Sequence, residues 1–149
     1  MNGASSLSYA GVMLLAGMAI PVMAAMSSGI GVRVANPSFA TSTVFAIAFL
    51  VTAIAAVATG FPRLAQIASV PPYLYLGGLC VAFYGLSITF VAPRFGLANA
   101  IFCVLVGQIV AAALIDNFGW FGTPQAKLDG TRLLGMAVMV AGLFLAKKS

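Results

Sequence analysis

YLYLGGLCVAFYGLSITFVA (Tyr73–Ala92), PRF (Pro93–Phe95) and GLANAIFCVLVGQIVAAALI (Gly96–Ile115) follow one another without interruption, and their reading decides the fold. A helix crossing the hydrocarbon core of a bilayer needs about 20 mostly apolar residues. Both long runs meet that length, and neither contains a charged residue. Their apolar residues are continuous and do not alternate, which argues against the strands of a barrel. Helices are the other structure that satisfies every backbone group in lipid. Pro93-Arg94-Phe95-Gly96 then reads as a turn at the membrane surface.

Similar runs lie on either side. One extends from about Ser8 to Gly31 and another from about Ser38 to Gly60. A shorter one, Arg132–Ala146, covers only about 22 Å at 1.5 Å per residue, so Arg132 and Lys147 would snorkel outwards. Asn36-Pro37, Gly60-Phe61-Pro62-Arg63 and Pro71-Pro72 punctuate the connections. The expectation is an all-α integral membrane protein. Its five transmembrane helices, at about residues 8–31, 38–60, 73–92, 96–115 and 132–146, form a single transmembrane domain over residues 1–149. Val22-Met23-Ala24 resembles a signal-cleavage site, but no base precedes this apolar run and the run continues past it. The segment therefore reads as a retained helix.

Composition excludes most other classes. The 149 residues are 62% hydrophobic and 6% charged, too few polar groups to cover a soluble globule, a nucleic-acid-binding domain or a disordered chain. There is no histidine, and Asp116 and Asp129 are the only acids. Serine and cysteine triads and most protein metal sites need those missing groups. We therefore expect no enzyme, no cofactor, no metal and no nucleic-acid partner. Cys80 and Cys103 fall inside apolar runs and read as small buried hydrophobes, not a disulfide.

Five crossings would place Arg63, Lys127 and Arg132 on one side, with Arg33, Arg94, Lys147 and Lys148 on the other, an excess of one base. The positive-inside rule acts through such an excess, and one base barely orients a chain. Two readings stay open from charge alone. In one, copies insert both ways up and pair as an antiparallel homodimer, an inverted repeat made from two chains. In the other, Arg94 and the terminal lysines fix a single orientation. Tyr9, Tyr73, Tyr75, Trp120 and Phe121 fall at expected interfaces on the three-base side, where aromatic belts belong.

Small-residue rows mark packing faces within or between protomers: Gly17, Pro21, Ala25 and Gly29; Gly107 and Ala111; Gly135 and Gly142. Pro21 should bend the first helix. Polar groups inside the spans are the candidate site, because they are costly in lipid. Gln108, near the middle of its run, can contact a ligand or bond across helices. Tyr84 and Ser87 share a face, which Cys80 extends by one turn. Ser27 and Ser28 are expected to bond back to their own helix carbonyls. Asn99 and Gln108, nine residues apart, fall on opposite faces. Asp116 opposes the dipole at a helix C-terminus and needs another reason, such as pairing with Arg132 or Lys127. Arg94 reads as a contact to lipid phosphate.

Gly77-Gly78-Leu79, Ala82-Phe83-Tyr84, Ala92-Pro93-Arg94-Phe95-Gly96, Val106-Gly107-Gln108, Asp116-Asn117-Phe118-Gly119 and Arg132-Leu133-Leu134-Gly135 together resemble the bacterial YdcZ-like family of the drug/metabolite transporter superfamily. The resemblance runs in order along the whole chain and is most specific from Gly77 to Gly122. It implies five-helix proteins assembled as antiparallel pairs, residing in the bacterial inner membrane. The chain departs from the family pattern at Met23 and Ser27, where members often carry Gln and Asn. It departs again at Asp116-Asn117, where an acid-histidine pair is usual.

The combined expectation is a small secondary transporter, an exporter of a small organic molecule or metabolite, working by alternating access in an antiparallel homodimer. Gln108, Tyr84, Ser87, Met23 and Ser27 would line its substrate pocket. The partners would be membrane lipid, a second copy and a small molecule of unassigned identity. The alternative is a non-transporting partner or scaffold subunit, or one half of a heterodimeric transporter.

Overall fold

A computed structural model describes residues 3–147; Lys148, counted above with the bases of one side, lies outside them. Helix α1 (Gly3–Arg33) turns at Asn36 into α2 (Pro37–Thr59). The short α3 (Leu64–Ala68) and a 3-10 turn (Pro72–Leu76) lead to α4 (Gly77–Phe95), which is followed by α5 (Leu97–Phe118) and α6 (Gly130–Lys147). The Asn36 side chain caps α2 by accepting from the Phe39 N–H at 3.0 Å, and Pro37 takes the first helical position, where no N–H is needed.

Among the described residues four segments are long and apolar enough to cross a membrane: Ser6–Arg33, Pro37–Thr59, Pro72–Phe95 and Leu97–Phe118. The fifth apolar helix, Gly130–Ala146, is shorter. It starts two residues earlier than the hydropathy suggests, because Asp129 caps it: the carboxylate accepts from the Arg132 N–H at 2.8 Å.

The turn expected at Pro93–Gly96 is not there in full. Helix α4 continues through Pro93 to Phe95, and the Gly96 N–H closes it on the Ala92 carbonyl at 3.0 Å. Proline so near a helix end forfeits one intrahelical bond and leaves the rest intact.

The molecule is packed inside out relative to a soluble protein. Among the described residues the buried apolar side chains are small apart from Ile88: Ala24, Ala40, Ala92, Ala100 and Ala113. Large side chains such as Leu14, Phe49, Phe83 and Leu145 are exposed. Lipid tails solvate leucine and phenylalanine as well as a protein core does, so close backbone approach holds helices together instead. Tyr9, Tyr73, Tyr75, Trp120 and Phe121 are all exposed, as interfacial anchors need to be. Cys80 and Cys103 are free thiols, but both are exposed rather than buried. An apolar run in a membrane does not imply burial, because lipid accepts a small apolar side chain on the protein surface.

The chain divides into two compact units, one ending at Leu97 and the other beginning at Ala98. In the first, α1, α2 and α4 pack against one another. Ala24, Ser27, Ser28 and Gly31 of α1 meet Ala40 and Thr41 of α2 and Gly85, Ile88, Thr89 and Ala92 of α4 at its buried centre. Gly85 is the tightest point. A Cβ there would sit 2.4 Å from Cζ of Phe45 and 3.0 Å from Cγ2 of Thr41.

In the second unit, the segment between α5 and α6 folds back onto the end of α5. Gly119 adopts a left-handed conformation at φ +63°, which reverses the chain. The carbonyls that α5 leaves open are then used: Asp116 accepts from the Ala126 N–H at 2.9 Å and Asn117 from the Gln125 amide at 2.9 Å. The Asn117 side chain also accepts from the Leu128 N–H at 3.1 Å.

Candidate functional site

Of the five residues expected to line a pocket, Met23, Ser27, Tyr84 and Ser87 lie in the first unit and Gln108 lies in the second. Ser27 does not bond back to its own helix. It is buried, and its hydroxyl meets Thr89 Oγ1 at 2.7 Å, joining α1 to α4. Thr41 Oγ1 approaches the same Thr89 oxygen at 3.1 Å, the Gly85 carbonyl at 3.3 Å and the Pro37 carbonyl at 3.0 Å. The three hydroxyls therefore form a buried polar knot between α1, α2 and α4. In a medium without water, such groups bond to each other because nothing else is available.

Thr89 and Thr41 are absent from the sequence-based site, yet they complete this knot. A signal for Thr89 exists: Ala24 and Gly31 are seven apart, as are Gly85 and Ala92, and the hydroxyls of Ser27 and Thr89 lie between. The row Gly17–Pro21–Ala25–Gly29 is not the buried one. A Cβ on Gly17 or Gly29 would meet nothing within 4 Å, whereas one on Gly31 would reach Thr89 Cγ2 at 3.2 Å.

Two further oxygens in this unit are shielded and have no partner among the described residues: Ser28 Oγ, which also fails to bond back to its helix, and Tyr84 Oη. Met23, Tyr84 and Ser87 are half-buried. Unpaired buried hydroxyls cost about 1–3 kcal/mol each, so they are groups that a bound molecule or water can repay.

In the second unit, Asp116 pairs with Arg132, each side chain about one-third exposed. The Arg132 guanidinium also donates to the Ala126 carbonyl at 3.2 Å. The ion pair explains a carboxylate at the wrong end of a helix dipole. Gln108 sits halfway along α5, exposed, and its amide has no partner among the described residues. The neighbouring Gly107 would meet nothing within 4 Å if it carried a Cβ, and Ala111, one turn on, is exposed. A primary amide and a small-residue patch therefore face outwards together.

No curated protein matches this chain, and no solved structure does. A family model described as "Putative inner membrane exporter, YdcZ" matches residues 8–145, a span that takes in α2, α4 and α5 whole and nearly all of α1 and α6. With apolar helices long enough to cross a bilayer and a family match over almost its entire length, the chain belongs to the YdcZ family of inner-membrane transporters.

Proposed function

We propose that the protein exports a small organic molecule or metabolite by alternating access, as an antiparallel homodimer in which a second copy covers the open face of α5. The observation that carries this reading is Gln108. An exposed amide in mid-span is costly against lipid and is satisfied by a facing protein surface or a wet cavity. Gly107 and Ala111 beside it let another backbone approach closely. The near balance of bases between the two ends, an excess of one, supports insertion in both directions. In this reading the pocket lies between protomers near the midplane, where Gln108, Tyr84 and Ser87 offer hydrogen bonds to the substrate, Met23 gives an apolar wall and Ser27 holds the wall in place.

Two measurements test it. Single-cysteine variants in a Cys80→Ser, Cys103→Ser background, one at Asn36 and one at Gly122, are labelled from outside intact cells. Both should label to about half, as a mixed population would. Labelling of one variant only would overturn dual topology. Efflux of small metabolites from proteoliposomes should then be lost in Gln108→Ala with dimer formation retained. A wild-type chain that assembles fully yet moves no compound would instead be the partner subunit.

A further inference from the structure

Both acids of the chain, Asp116 and Asp129, lie in the second unit, whereas the first holds Arg33, Arg63 and Arg94 and no carboxylate side chain. Arg33 and Arg94 sit in the last turns of α1 and α4. Between those two helix ends and the start of α2 is an open depression of about 380 Å³, lined by Gly31, Val32, Ala35, Pro37, Pro93 and Arg94. Arg94 is held at its edge. Its Nη1 donates to the Phe90 carbonyl, and its guanidinium carbon lies 3.8 Å from the centre of the Phe90 ring. One edge of the guanidinium fork is thus committed, and the remaining donors have no protein partner among the described residues. The Phe90 contact and carbonyl hold the guanidinium in place, and a planar fork suits paired oxygens of one anion.

We propose that this depression binds the phosphate of an anionic phospholipid, with Arg94 as its ligand and Arg33, next to the lining residue Val32 but not itself in the lining, adding positive charge nearby. The depression lies where membrane-spanning helices end, which is headgroup depth. The lipid should carry net negative charge, because two bases without a local carboxylate are left uncompensated by a zwitterionic head that brings its own cation.

The test uses the full chain in nanodiscs of phosphatidylcholine doped with phosphatidylglycerol. Lipid retained through detergent extraction is counted by native mass spectrometry. Wild type should keep phosphatidylglycerol in preference to phosphatidylcholine. Arg94→Gln should lower that preference about fivefold, the equivalent of about 1 kcal/mol per base near an anionic surface. Arg33→Gln should act in the same direction more weakly, and Arg63→Gln, at the α2–α3 connection, should change nothing. Equal retention of both lipids by wild type would overturn the proposal, as would an equal loss in Arg63→Gln. Displacement of the lipid by inorganic phosphate alone would also overturn it and make the site one for free phosphate. Should Arg94→Gln fail to fold, Arg33→Gln carries the charge comparison, and Arg94→Lys, which keeps the charge and loses the fork, should fall between wild type and the fivefold loss.

Discussion

The two units of this chain hold themselves together in opposite ways. The first is joined by closeness: three helices meet at alanines, glycines and a knot of hydroxyls, with no ion pair among its described residues. The second is joined by charge and by its connecting segment: Asp116 and Arg132 bridge α5 to α6, and the residues after Gly119 close over the end of α5. Within the second unit, Phe102, Cys103 and Val106 of α5 leave an apolar gap of about 200 Å³ towards Leu143 and Phe144 of α6. A small-residue contact tolerates almost no added volume, whereas a gap with a salt bridge at one end tolerates change along most of its length. Intolerance of added volume therefore belongs to the first unit, and the exposed mid-span amide of Gln108 belongs to the second.

The harshest way to break the contrast is Gly85→Ala. The new methyl group would overlap the Phe45 ring, and overpacking of this kind costs about 1–3 kcal/mol. A lowered midpoint of denaturation in mixed micelles should show it, with partial recovery in Gly85→Ala/Phe45→Leu. If Gly107→Ala were equally damaging to the isolated protomer, the distinction between the units would fail. Next in size is Thr89→Val. It removes the shared oxygen of the knot and leaves the Ser27 hydroxyl without its partner, for an expected loss of about 1 kcal/mol by the same denaturation assay. The smallest effect belongs to the second unit. Asp116→Asn and Arg132→Gln should each cost less than about 1 kcal/mol, because both side chains are partly solvated and the pair is screened. A double-mutant cycle on that pair isolates the coupling, and a value above that of Thr89→Val would reverse the ranking.

Local signals along the chain carry several of these elements. Asn36-Pro37 combines a cap with a first-turn proline, and α1 and α2 do meet there. Pro93 is a weaker signal. It reads as a stop, yet α4 runs three residues beyond Ala92, because the last turn of a helix can hold a proline. Asp116, at the negative end of a helix dipole, demands a cation, and both Arg132 and Lys127 are near in sequence. The path of the hairpin after Gly119 selects Arg132. Ser27 stands out as a polar residue inside an apolar run, but its bond to Thr89 joins residues 62 positions apart, beyond the reach of any local pattern. On α1, small residues recur both every four positions and at a spacing of seven. Either row could be the buried one, and the contacts of Gly31 pick the second.

Amino-acid order alone determined that this chain lives in a bilayer, as helices, with apolar runs of set length and bases at their ends. Those properties follow from the one-dimensional rule that lipid imposes on length, polarity and backbone hydrogen bonding. Which face of each helix is buried, which hydroxyls meet and which cation Asp116 takes were decided only by the tertiary structure. Lipid does not sort leucine from alanine by burial, so hydrophobicity carries little information about helix faces in a membrane. That choice falls to steric fit between particular neighbours.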